Sequence, residues 1–289
     1  MKYLAIGPGA MGLFVFMGAL HKLEESGNLK DLEEISGSSA GSLLAFFYLI
    51  TKRDLVKVLD SALKTPIKQI MKPNIKSLFN NFGVVPVSKV RKVLAQACLE
   101  FTTKNEITFE ELYKLCPVKL HVSAFCVDLK RTDYFSVDQT PTMSVIDAVC
   151  MSIAVPFLFS VSRFNGWHYV DGGAAESLPC APFMGKPRDD ILALELEFSN
   201  KKKDIKDLKQ YGLEVMAAIL HLRSKYDVPR VSLNLDTLDM FDFNMDSEMK
   251  IRMFMMGQGG IKTAAKQLDV QRLNQSLSSA SPSPSDLSL

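Results

Sequence analysis

Three short stretches of this chain hold residue types that could carry out acyl transfer. The first is Gly37-Ser38-Ser39-Ala40-Gly41, with Ile35 before it and the apolar run Ser42–Ile50 after it. Gly-x-Ser-x-Gly between a strand and a buried helix makes a sharp turn, with the glycines Gly37 and Gly41 allowing a bend too tight for a side chain. It presents the Ser39 hydroxyl at a helix N-terminus, where a serine is well placed as a nucleophile. The second is Asp171, in Tyr169-Val170-Asp171-Gly172-Gly173. An aspartate that ends a buried strand, held by a Gly172-Gly173 turn, stands where open α/β sheets place their sites. The third is Gly7-Pro8-Gly9-Ala10-Met11-Gly12, which follows a short apolar strand and opens a helix. Free backbone N–H groups there stabilise negative charge and would serve as an oxyanion hole. Pro8 has no N–H, so the candidate donors are Gly9 and Ala10, with Gly7 as a third.

A serine hydroxyl needs a base. His21, His121, His168 and His221 are isolated, without flanking patterns of a triad, and read as structural. Asp171 is the better candidate. An exposed aspartate, with a pKa near 3.9, is too weak a base for an alcohol. Burial against the Val170 strand is therefore expected to raise it. The glycine loop has a competing reading: Gly7-x-Gly9-x-x-Gly12 after a strand is also the dinucleotide fingerprint, and Glu33 and Glu34 lie at about the spacing that would meet a ribose hydroxyl. Economy favours acyl transfer, because a nicotinamide-dependent reductase needs neither the Ser39 turn nor a distant Asp-Gly-Gly.

The elements that must position these residues alternate. Tyr3–Ile6 reads as a strand, Leu13–Glu25 as a helix closed by Gly27-Asn28, and the segment around Glu34–Ser36 as the strand leading to Ser39. Residues 52–115 read as several helices, one opened by the capping box Thr108-x-x-Glu111. Val118–Phe125 alternates as a strand, with Tyr134–Val137 its neighbour across an Arg131-Thr132-Asp133 turn. A helix is expected over Met143–Ser152. Phe159–Phe164 and Trp167–Val170 form a hairpin about Asn165-Gly166. Ile191–Phe198 and Val231–Leu235 read as strands, Asp204–Lys225 and Glu248–Leu273 as helices. This alternation predicts an α/β three-layer sandwich whose central sheet is largely parallel and flanked by helices.

Bulk properties narrow the field. The chain has 289 residues, 47% apolar and 23% charged, with a formal net charge of +2 and no long basic stripe, which argues against nucleic acid as a partner. Its five cysteines are odd in number, widely spaced and set in apolar contexts, as expected of reduced core residues. No metal-ligand spacing is present. Residues 3–20 carry no charge, but Gly7-Pro8-Gly9, Gly12 and Gly18 interrupt them. A strand, a loop and a core helix account for the run better than a leader or a membrane span does. Met240–Met245 and Met253–Met256, with Lys250 and Arg252 nearby, read as Met-rich core rather than an interfacial surface or lid.

Taken together, the loop Gly7–Gly12, the Ser39 turn and Asp171–Gly173 resemble, in order and spacing, the patatin-like phospholipase family. The segment Ser152-Ile153-Ala154-Val155-Pro156-Phe157-Leu158-Phe159 also resembles that family's Ala/Ser-x-x-x-Pro-x-x-Phe stretch before the aspartate. The resemblance covers about residues 1–200. It implies one acyl hydrolase domain over 1–274; the Ser/Pro-rich composition of 275–289 cannot build a core and is expected to form a disordered tail. It implies a Ser39–Asp171 dyad without histidine, Ser39 attacking an ester carbonyl and Asp171 acting as general base. A phospholipid or other acyl lipid would be the substrate, no cofactor or metal would be needed, and the protein would be cytoplasmic with peripheral membrane contact. Pro8 stands where the family has the middle glycine of its loop, Met11 where it has a basic residue, and an asparagine after the aspartate is missing. Those departures keep a second reading open, a catalytically impaired lipid-binding protein of the same fold.

Overall fold

The computed structural model describes residues 1–197, 205, 211–212, 214–215, 218, 226–235 and 238–279. The helix expected over Asp204–Lys225 falls almost wholly outside the described residues. The N-terminal uncharged run is strand β1 (Tyr3–Ile6), a loop with one short 3-10 turn (Ala10–Gly12) and helix α1 (Leu13–Glu25). All three are largely buried, so core packing explains the absence of charge. Among the described residues, no helix is long and apolar enough to cross a membrane.

Strand β2 (Glu34–Ser38) runs into helix α2 (Ala40–Ile50). Helices α3 (Leu55–Lys64), α4 (Ile67–Ile70), α5 (Ile75–Asn81), α6 (Val87–Thr102) and α7 (Phe109–Leu115) fill the expected helical region, which also holds strand β3 (Gly83–Val85). The capping box is formed: Glu111 N–H donates to the Thr108 hydroxyl, and Thr108 N–H donates to the Glu111 carboxylate. Strands β4 (Lys119–Cys126) and β5 (Arg131–Phe135) are antiparallel neighbours. The turn between them lies at 127–130, not at Arg131-Thr132-Asp133, which belong to the strand. They read as a turn because β5 is an edge strand with polar, largely solvated positions.

Helix α8 (Val145–Ser152) precedes strands β6 (Phe157–Phe159), β7 (Ser162–Phe164) and β8 (Trp167–Asp171). The β7–β8 hairpin turns at Asn165 (φ 50°) and Gly166 (φ 83°), the pair of left-handed residues that a two-residue turn requires. Phe159 is not part of this hairpin; β6 pairs instead with β3. Strands β9 (Ile191–Glu197) and β10 (Arg230–Asn234) complete the sheet, and helix α9 (Ser247–Ser279) follows. Helix α9 continues past Gln275, and positions 280–289 lie outside the described residues.

The main sheet has eight strands, ordered β10-β9-β1-β2-β4-β8-β7, with β5 on the other side of β4. The first five in that order are mutually parallel, and β5, β7 and β8 are antiparallel additions. One sheet face carries a large core that includes Ile35, Val122 and Ala124 together with the inner sides of α1, α2 and α8. The other carries a smaller core of Tyr3, Ala5, Leu178, Phe183 and Ile191. The expected three-layer α/β sandwich is thus present, its sheet mixed at one end. All five cysteines are buried and unpaired.

Candidate active site

The sheet explains how two residues far apart in sequence meet. A strand has two edges. One edge of β4 carries β5, opposite Val122–Cys126. The other edge is shared end to end: β2 covers Lys119–Ser123, and β8 covers Ala124–Cys126 from the opposite direction. Strand β2 ends at Ser38, opposite Ser123, and β8 ends at Asp171, opposite Ala124. The two strand ends therefore meet about one strand residue apart, roughly 3.3 Å along β4.

Ser39 follows at once, with φ 53° and ψ −121°. A non-glycine residue there costs on the order of 1–3 kcal/mol and persists only where neighbours impose it. Here they do. Ser39 N–H donates to Ser152 Oγ at 2.9 Å, and the Ser39 carbonyl accepts from Ser42 Oγ at 2.7 Å and from Leu43 N–H at 3.1 Å. Close approach also fixes the turn: a Cβ on Gly41 would lie 2.2 Å from the Ile6 carbonyl oxygen, and one on Gly37 would lie 2.5 Å from Ser42 N. The first turn of α2 directs its unpaired N–H groups toward this end of the helix, beside Ser39.

Asp171 is 1% exposed. Its Oδ1 accepts from Gly173 N–H at 2.8 Å, and its own N–H donates to the Ala154 carbonyl at 3.0 Å. Its Oδ2 is buried with no hydrogen-bond partner. Burial pushes the carboxyl up to about 7, opposed in part by the Ser39 hydroxyl and Gly173 N–H. The hydroxyl thus lies near enough to act on the carboxylate, although short of hydrogen-bond geometry. Gly172 has to be glycine for space, since a Cβ would sit 2.5 Å from both the carbonyl oxygen and the hydroxyl of Ser123.

The glycine loop lies on the same side. Gly7 is a correction to the sequence reading: its N–H donates to the Leu194 carbonyl at 3.0 Å, continuing the β1–β9 ladder, and is not free for an oxyanion. Met11 N–H is taken by the Met240 carbonyl at 2.9 Å. The N–H groups of Gly9 and Ala10 have no hydrogen bond among the described residues. The dinucleotide reading fails on Glu34, which stands at the far, N-terminal end of β2, with Oε2 2.8 Å from His121 Nε2 and Oε1 accepting from Lys186 Nζ at 3.0 Å. A ribose-binding acid belongs at the other end of that strand, where this chain has Ser38 and Ser39.

Ser39 and Ala10 open onto a cavity of about 170 Å³, an order of magnitude more than one water needs. Met11, Phe14, Leu43, Leu94 and Leu158 contribute to its wall, and among the described residues Ser39 and Thr65 are its only polar lining side chains. Phe241 and Phe243 also face it, while Met240, Met253 and Phe254 are buried in the core. Lys250 is buried too, with its ammonium 5.7 Å from the centre of the Phe14 ring. Apart from Met255, which is exposed, the late Met/Phe stretch is therefore core and cavity wall. The histidines serve elsewhere: His21 pairs with Gln258, His121 with Glu34 and His168 with Asp128. His221 lies outside the described residues. Ser152 is the contributor whose role sequence reasoning missed. Its one signal is a hydroxyl at the C-terminal end of α8, a helix apolar except for Asp147 and Ser152 itself.

The chain is similar to several known proteins. The chain is 24% identical, over 253 residues, to the probable lipid hydrolase 463L of Invertebrate iridescent virus 6, covering 83% of this chain and 85% of that protein. It is 26% identical, over 291 residues, to the uncharacterized protein R571 of Acanthamoeba polyphaga mimivirus, covering 93% and 94%. Its fold is similar to the crystal structure of VipD from Legionella pneumophila, with a TM-score of 0.59 and 15% identity over 91% of this chain. The chain spans 66% of that structure's chain, just under two thirds. The model of the patatin-like phospholipase family matches residues 4–184, the span that holds the glycine loop, the Ser39 turn and Asp171, and the chain belongs to that family.

Proposed function

We propose that this chain is a lipid acyl hydrolase that cleaves fatty acyl esters through Ser39 and Asp171. The observation that carries the reading is a convergence. A strained serine meets a buried carboxylate oxygen and two N–H groups, all three without a hydrogen-bond partner among the described residues, at the wall of an apolar cavity.

The steps follow from those positions. Asp171 Oδ2 accepts the Ser39 proton as Ser39 Oγ attacks the ester carbonyl carbon. The charge that develops on the carbonyl oxygen is met by Gly9 and Ala10 N–H. The tetrahedral intermediate collapses, the C–O bond to the alcohol breaks, and Asp171 returns the proton to the leaving alkoxide. Water then attacks the acyl-enzyme in the same way, releasing the fatty acid and freeing Ser39. A carboxyl near 7 suits the task, because a base works best when its pKa lies close to the working pH. The cavity wall, apolar apart from Ser39 and Thr65, suits an alkyl chain.

The impaired lipid-binding reading is favoured by the altered loop, with Pro8 and Met11 in place of a glycine and a basic residue, and by the Gly7 N–H lost to Leu194. A fluorophosphonate ester, together with fatty-acid release from phospholipid vesicles and from a soluble p-nitrophenyl ester, separates the two. Covalent labelling at Ser39, with turnover falling by about 10⁴-fold or more in Ser39→Ala, is expected of the hydrolase. Lipid binding with neither labelling nor turnover would establish the impaired protein instead.

A further inference from the structure

Met255 apart, the late Met/Phe stretch folds inward, and a group of strongly exposed apolar side chains stands elsewhere. Ile75, Phe79, Phe82 and Phe157 are 71%, 75%, 57% and 68% exposed. They are neighbours: α5 ends at Asn81, Phe82 caps it and leads into β3, and Gly83 at the start of β3 is opposite Phe157 in β6. Phe82 (φ 61°) and Phe157 (φ 65°) are also held in left-handed backbone, where bulky residues are rare.

The same region is strongly basic. Between positions 61 and 99 stand seven Lys or Arg and no Asp or Glu, in a chain whose net charge is +2. Lys64 pairs with Asp60, Arg91 pairs with Glu106 and Asp147, and Lys89 donates to the Lys72 carbonyl. Lys68, Lys72, Lys76 and Lys92 are exposed and have no ion pair among the described residues. The region also adjoins the site. Ile67 and Ile70 of α4 line the cavity, while Lys68 between them is exposed.

We infer that α4, α5 and the β3–β6 ribbon form the face by which the protein docks on an anionic phospholipid surface. The inference rests on the proposed acyl hydrolase reading for its purpose, and on exposure and charge for its place. The phenylalanines would enter the boundary between headgroups and acyl chains, and the lysines would meet the phosphates. A chain drawn from the bilayer would then pass α4 into the cavity with little exposure to water.

The test uses the full chain carrying Ser39→Ala, so that lipid is not consumed, and vesicles of phosphatidylcholine with and without phosphatidylserine. Binding is expected to the anionic vesicles, to weaken with salt, and to fall about tenfold or more in both Phe79→Ser/Phe82→Ser and Lys68→Glu/Lys72→Glu/Lys76→Glu. The same two variant sets, with Ser39 intact, should hydrolyse the soluble ester at the unaltered rate, which also shows that they fold. Vesicle binding untouched by both sets, or equal on neutral and anionic vesicles, would overturn the proposal. So would a dimer in sedimentation that the phenylalanine pair dissolves, because the patch would then belong to a second copy. Failure of ester hydrolysis in the parent chain, with lipid binding still dependent on these residues, would count against the catalytic reading alone.

Discussion

Strand β2 has a buried carboxylate at each end, and the two are set in opposite ways. At its start, Glu34 has both oxygens partnered, one by His121 and the other by Lys186. The His121 hydrogen bond, with Lys186 adding to it against the cost of burial, holds the carboxyl down at about 2. Past its end, Asp171 has one oxygen on Gly173 N–H and the other on nothing, and desolvation holds it up near 7. Burial alone does not determine what a carboxylate does. The number of donors supplied to it decides whether it remains a fixed charge or can exchange a proton at neutral pH.

The largest effect expected from this contrast is at Asp171. Asp171→Asn should lower fatty-acid release by about 10⁴-fold, and in the parent chain kcat/KM should rise with pH to a plateau above about 7, as the carboxyl ionises. Stability should move the other way. The folded chain keeps the Asp171 proton up to about 7, whereas the unfolded chain releases it near 3.8. The favourable contribution is therefore complete below 3.8 and is lost as pH rises through about 7. Asn carries no such loss, so above neutrality the variant should be the more stable by up to roughly 4 kcal/mol. Denaturant melts of both proteins across that range would check it. A variant less stable at every pH would refute the contrast.

The next effect lies at the other end of the strand. Glu34→Gln should cost about 2 kcal/mol of stability, part of the pair being screened where Lys186 is exposed. Hydrolysis of a soluble ester should not change. Glu34 stabilises the fold above its unfolded pKa and ceases to do so as pH falls through about 2, so the gap between parent and variant should close on acidification.

The smallest effect concerns the support of the turn. Ser152→Ala leaves the buried Ser39 N–H without its acceptor, at about 1–3 kcal/mol. Turnover and fluorophosphonate labelling should slow about tenfold while KM holds, because the hydroxyl is displaced from Asp171 and the cavity is left as it was. A change in KM alone would assign Ser152 to substrate binding.

What the sequence made legible was what short-range physics determines. Strand β1, helix α1, the Thr108 capping box and the Asn165-Gly166 turn depend on residues a few positions apart, and each lies where expected. So do the turn glycines around Ser39, because their spacing encodes a steric demand. What distant partners determine was not legible. Gly7 resembles a free loop donor until β9, from nearly 190 residues away, takes its N–H. Strands β3 and β6 have three residues each, too few for alternation to show, and they exist through each other. Ser152 acquires a role only when α8 packs beside a turn more than a hundred residues upstream. The Met/Phe stretch reads as core from its composition, and apart from exposed Met255 it is core or cavity wall.

The shared edge of β4 has a consequence for how such a chain can vary. Side chains on a strand alternate, so sliding β8 by one residue along β4 would bring Val170 or Gly172 to the place of Asp171 and turn the carboxylate away. The placing of Asp171 beside Ser39 thus changes in whole steps of register. Insertions and deletions are tolerated wherever they leave those two registers alone, as in the helices and loops between Ile50 and Lys119 or in the hairpin turn at Asn165. The number of residues separating Ser39 from Asp171 can therefore wander between relatives, while the single step from Ser123 to Ala124 cannot.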